Sequence, residues 1–351
     1  MSLRKPALLL LTAAMSPIAL GAEPIYTDPV GFVKLGNLDA GKPVNPSQPD
    51  GAKISAVSGN TDLHLTVPLE AELMFSGLVA TTTATTLTVQ GNPNWADDLW
   101  SSDPEVPYCI VIESETQDGL RGLIISTDAG NELTVEVLAP GSLADVESGD
   151  GVKIRKCWTI SSFFGDTFIP ENSEIFLFDS SATGINHSAA QSYLRFGTDW
   201  LDENFALANN VMLHPGDHFI LRALGEIPTL TAFGDVQTTS QKIDVTKLGP
   251  LANAEDIEFG LNSPIPLTVG SLNIPAEDND ELFVYDNSTP NLNKSASKSL
   301  LSFGGVWVDE NFSDASTFAI LPGNGLILRR APGSKVTPQY FTVPSPIAPN
   351  P

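Results

Sequence analysis

Two strings of this sequence place an indole, two carboxylates and an amide within five residues. They are Trp200-Leu201-Asp202-Glu203-Asn204-Phe205 and Trp307-Val308-Asp309-Glu310-Asn311-Phe312. An aromatic face beside Asp and Asn oxygens is the equipment for holding a sugar, which stacks on the ring and bonds to the polar groups. Clustered oxygens also suit Ca2+, the one cofactor the residues suggest. The same residue types serve structure. Trp and Phe fill a core, Asp or Asn accepts bonds from the backbone of a turn, and Glu faces water. The structural use ranks first and binding second. Trp95 and Trp100, flanked by Asp97 and Asp98, form either an exposed binding loop or the plug of a barrel end.

Other chemistry is thinly supplied. The four histidines are His64, His187, His214 and His218, and no Gly-x-Ser-x-Gly elbow is present. His214-Pro215-Gly216-Asp217-His218 offers zinc-type ligands, but its Pro-Gly turn reads as a polar hairpin. Two acidic spots, Glu277 to Glu281 and Ser148 to Gly151, lack the ligand spacing of an EF-hand loop and read as solvated turns. No motif supports a carboxylate pair for glycoside hydrolysis. Cys109 and Cys157 are the only cysteines. In an oxidising compartment they are expected to form a disulfide, worth about 4 kcal/mol in the chain-entropy model; the alternative is two buried free thiols. The lack of a C-x-x-C speaks against a redox site.

The elements that must position these residues are strands. Gly, Pro, Asn, Ser and Thr interrupt the chain every few residues, and apolar residues alternate or run in fives. Strands are expected at Leu73 to Ala80, Thr85 to Gln90, Tyr108 to Glu113, Leu120 to Ser126, Glu132 to Leu138 and Gly151 to Trp158. Such close spacing reads as a small barrel or sandwich. Farther on, residues 174–224 match residues 281–331 at a constant offset of 107, with 22 of 51 positions identical and no gap. This is an internal repeat. Each copy reads as strand, Ser/Asn-rich loop, strand, acidic turn, Pro-Gly turn and strand, and Pro-Gly suits a type II turn. One such unit buries too little apolar surface to stand alone. The expected fold is therefore all-β, an N-terminal small β-barrel or sandwich followed by two tandem β-repeats sharing a sheet or core. The expected domains are 23–157, with an irregular polar insertion near 34–66, then 158–250 for the first repeat and 251–351 for the second with a Pro-rich tail.

Arg4 and Lys5 precede an apolar run of about 14 residues, Ala7 to Leu20, ending in Ala19-Leu20-Gly21-Ala22. This reads as a secretory signal peptide over residues 1–22, too short to span a bilayer, and no later stretch suggests membrane insertion. The expected location is the periplasm, the cell surface or the extracellular space. The net charge is −24, and no basic cluster offers a nucleic-acid footprint.

Thr27-Asp28-Pro29-Val30-Gly31-Phe32, Trp158-Thr159-Ile160 and Asp179…Asn186-x-Ser188…Phe196-x-x-x-Trp200 resemble an uncharacterised family of exported proteins from Verrucomicrobia. The resemblance implies export and a β-rich fold, and it brings no established activity or catalytic residues. The polar insertion near 34–66 departs from that family's pattern.

The repeat then filters function, because catalysis needs one site and duplication gives two. His187 faces Lys294 at the matching position, and His214 and His218 are replaced by Leu321 and Gly325. The expectation is an exported, non-enzymatic surface or extracellular protein, structural or adhesive, with extracellular polysaccharide or self-association as partner. A carbohydrate-binding or calcium-dependent recognition module is the alternative, and a secreted hydrolase the third reading.

Overall fold

The computed structural model describes residues 29–35, 60–101, 106–128, 130–138, 140–165, 167–227 and 230–347. Residues 1–22, expected to be a signal peptide, and most of the polar insertion lie outside them.

Alternating apolar residues close six strands into a barrel. In order around it run Leu73–Thr82, Thr86–Val89, Glu132–Val137, Arg121–Asp128, Tyr108–Glu113 and Gly151–Lys156. Val79, Leu87, Ile110, Ile112, Ile124, Leu133 and Ile154 fill the interior without exposure. Closure leaves no unpaired barrel edge.

The two copies have the same topology. In the first, the antiparallel order is Thr61–Leu65, Phe219–Ala223, Glu174–Leu177, Gln191–Phe196 and Asp199–Leu201; in the second it is Glu255–Gly260, Gly325–Arg330, Glu281–Val284, Lys298–Phe303 and Val306–Val308. Each copy also has a short helix, Ile160–Phe164 or Val269–Leu272, a two-residue pairing, Trp158–Thr159 with Met212–Leu213 or Leu267–Thr268 with Ala319–Ile320, and a longer two-stranded ribbon. The ribbons pair Val30–Leu35 with Leu230–Asp235 and Gln241–Asp244 with Tyr340–Val343. Duplication thus extends well beyond the 51 aligned positions, and the barrel interrupts the first copy between Leu65 and Trp158.

Two sequence expectations change. Thr61–Leu65, read as part of an irregular insertion, is a fully buried strand paired to Phe219–Ala223. The N-terminal domain placed at 23–157 contracts to the barrel, because the strands before it pair within the first copy. Each copy has its own sheet and its own core, built around Leu63, Ile175, Trp200 and Phe219 in one and around Phe259, Leu282, Trp307 and Leu326 in the other.

What the copies share is a reciprocal interface. Arg222 grips Asp62 with two bonds of 2.8 and 2.9 Å and reaches Asn293 of the second copy at 2.8 Å, while the Asn293 N–H donates to Asp62 at 2.6 Å. The mirror set is Arg329 on Asp256 at 2.7 and 2.8 Å and on Asn186 at 3.1 Å, with the Asn186 N–H on Asp256 at 2.7 Å. Both asparagines hold left-handed backbone, φ 55° and 51°, which Asn tolerates better than most residues. This is isologous packing within one chain. Near the pseudo-two-fold, equivalent positions meet and cannot both be large. A Cβ on Gly325 would stand 2.1 Å from His218 Cδ2, and one on Gly260 would stand 2.0 Å from Thr66 Oγ1.

Candidate functional site

The repeated Trp-x-Asp-Glu-Asn-Phe strings form the same tight turn in both copies. Trp200 is 1% and Trp307 8% exposed, so neither indole offers a face for a sugar. Asp202 Oδ1 accepts the Asn204 and Ala206 N–H groups, both at 2.8 Å. Asp309 Oδ1 accepts those of Asn311 and Ser313 at 2.8 and 2.9 Å, and these bonds hold its carboxyl below the usual range. Glu203, Asn204 and Asn311 are exposed, and Glu310 pairs with Lys298 at 2.9 Å. The carboxylates therefore serve the turn. What the turn presents outward is Phe205 and Phe312, 73% and 67% exposed, beside Phe196 and Phe303 at 62% and 54%.

Trp95 and Trp100 are also buried. Phe75, Trp95, Trp100 and Tyr108 form a chain of edge-to-face contacts with centroid spacings of 5.1, 6.1 and 5.3 Å. Trp95 bridges the Gly130 turn, so the loop seals that end of the barrel. Among the described residues, no three His, Cys, Asp or Glu side chains are placed to hold a metal ion.

The histidines separate. His218 turns into the copy interface, where its Nε2 lies 3.0 Å from His64 Nδ1 and its ring stacks on Phe178. His64 stacks on Tyr285 with centroids 3.5 Å apart. Burial holds the His218 imidazole down at about 3, and burial, His218 and Lys294 push His64 well below its usual value, so both are neutral at pH 7. His187 lies 3.1 Å from Glu258. Burial pushes the Glu258 carboxyl up, with His187 opposing. Among the described residues no histidine is hydrogen-bonded to a serine, threonine or cysteine, so no nucleophile–base pair is assembled.

A feature with no local signal in the sequence is a cavity of about 510 Å3 where the barrel and both copies meet. Small-molecule sites commonly have this size. Its wall includes Cys109, Arg121 and Cys157 from the barrel and its exit, His214 and Asp217 from the first copy, and Glu258 from the second. Asp217 is exposed on the cavity wall; the protein crowded around its carboxyl desolvates it and pushes it up, against His214.

Beside the cavity Glu70 joins the three bodies. Its carboxylate receives the Arg121 guanidinium through two hydrogen bonds, one of 2.9 Å, and the Asn262 amide. Burial alone would raise the Glu70 carboxyl, but Arg121, Arg155 and Asn262 hold it below the usual range.

The disulfide expected between Cys109 and Cys157 is absent, and both cysteines are buried free thiols. The pairing register explains why they are neighbours: Cys109 lies opposite Arg155, and the Cys157 N–H donates to Pro107 O at 2.8 Å. Both thiols therefore leave the same face of adjacent strands. Strand pairing achieves the proximity that C-x-x-C spacing achieves on a helix.

No family model, curated protein or solved structure matches this chain.

Proposed function

We propose that this is an exported, non-enzymatic structural or adhesive protein whose interlocked β-modules present duplicated aromatic residues to an apolar surface. The observation that carries this reading is the backbone of Phe205 and Phe312, at φ 60° and 58° in the two copies. A non-glycine residue in the left-handed region costs about 1–2 kcal/mol, and Gly or Asn would fill the position with less strain. Both copies instead keep a phenyl ring there, pointing to solvent. Strain retained at an exposed position is a mark of use. The apolar run behind Arg4 and Lys5 supports export.

Replacing both residues, Phe205→Gly with Phe312→Gly, is expected to raise stability by about 1 kcal/mol per site, read by thermal unfolding. Adsorption to an alkyl-coated sensor surface should fall at least about fivefold, as expected for loss of exposed apolar contact. Unchanged adsorption would defeat the proposal, as would turnover of a polysaccharide or peptide that Asp217→Asn abolishes. Glycan binding that a calcium chelator removes would favour the recognition reading instead.

A further inference from the structure

We propose that Cys109 and Cys157 are a redox-active pair in the cavity wall, Cys109 attacking and Cys157 resolving, which exchanges with small amine-bearing disulfides entering the cavity. Three observations carry it. The thiols are neighbours on one face of paired strands, and both line the cavity. Arg121, 6% exposed and lining the same cavity, keeps its Nε–H without any partner. That stray donor and the guanidinium charge stand ready for a sulfur anion, as at other reactive cysteines. Finally, the cavity wall carries seven carboxylates against three Lys or Arg side chains, so its field admits a cationic reagent in preference to an anionic one.

The two sulfurs are not equivalent. The adjoining Cys157 side chain is the main influence holding the Cys109 thiol below its usual value against burial, and Arg121 and Arg155 add to it. The nearness of Cys109, with burial, pushes Cys157 up, so Cys157 stays protonated. In the first step the Cys109 thiolate attacks one sulfur of R–S–S–R, forming a mixed disulfide and expelling R–S⁻. In the second, Cys157 loses its proton and attacks Cys109 Sγ, which expels the other R–S⁻. The two protons given up by the cysteines end on the two released thiols. The protein dithiol is oxidised and one small disulfide is reduced.

The test starts from the fully reduced full-length chain and uses cystamine as the probe, followed by intact mass and peptide mapping. The native chain should form the Cys109–Cys157 disulfide with no adduct, and Cys157→Ser should stop at one cysteamine on Cys109. Cys109→Ser should react roughly 100-fold more slowly than Cys157→Ser. An anionic disulfide, 3,3′-dithiodipropionate, should react roughly tenfold more slowly than cystamine at low salt, and the gap should close at high salt. Equal reactivity of the two Ser variants would overturn the assignment of roles. Cysteines that react only after unfolding in denaturant would overturn the site.

Discussion

Replacing Asp280 with serine should cost about 3–5 kcal/mol, and adding Arg330→Ala should recover much of that loss. The side chains of Asp280 and Arg330 have no exposure and lie 3.1 Å apart. Removing the carboxylate strands a guanidinium that cannot shed its proton, in a site where burial already works against its charge. The rescue is written in the chain itself. At the equivalent positions the first copy has Ser173 and Ala223, both fully buried. Ser173 Oγ accepts the Leu224 N–H at 3.1 Å, the task Asp280 Oδ1 performs for Ala331 at 2.7 Å. Serine at 280 can therefore keep the backbone bond to Ala331, while the ion pair and the second carboxylate oxygen's bond from the Glu277 N–H are lost. Urea midpoints of the native chain, both single variants and the double variant form a complete cycle. A double variant no more stable than Asp280→Ser alone would show that the stranded charge is not the source of the loss.

Acid should weaken the interface between the copies before Glu70 titrates. In the unfolded chain His218 takes a proton near pH 6.5, whereas in the folded chain burial delays this to about 3. Between those values the unfolded state holds more protons, so stability falls as pH falls. From pH 7 to pH 5 this amounts to about 2 kcal/mol for His218. His64 acts in the same direction, since His218 and Lys294 face it and disfavour its charge alongside burial. Below about pH 4.5 Glu70 joins: its folded carboxyl is held down, so its contribution is present above that pH and is lost as the pH falls further. Denaturation midpoints across pH 7 to 5 measure the slope. His218→Gln should flatten it by about 2 kcal/mol over that window, and a variant that keeps the native slope would remove His218 as the cause.

Much of the fold was legible because its signals are local. Alternation marked all six barrel strands to within two residues or so at their ends, and constant spacing exposed the repeat. The strand Thr61–Leu65 escaped notice for a physical reason. Asp62 and His64 look like loop residues, but at the boundary with the second copy their polarity is answered by Arg222 and His218 of their own copy and by Asn293 of the other. Its counterpart is Glu255–Gly260, and the inserted barrel displaces that correspondence from 107 to 194 positions, 256 minus 62. No single-offset comparison could have shown it.

The Trp-x-Asp-Glu-Asn-Phe strings make the same point about the site. Their residue types suit either a ligand or a turn, and only the direction of the side chains separates the two uses. In the structure the indoles turn inward, the aspartates bond to the turn, and the phenylalanines are left to solvent. By itself the sequence determined the β class, the duplication and the turn chemistry, because each depends on neighbours within a few residues. Tertiary structure alone decided the reciprocal lock between the copies, the cavity at the three-way junction and the meeting of Cys109 with Cys157. Those depend on strand register and on charges that become partners only when distant segments pack together.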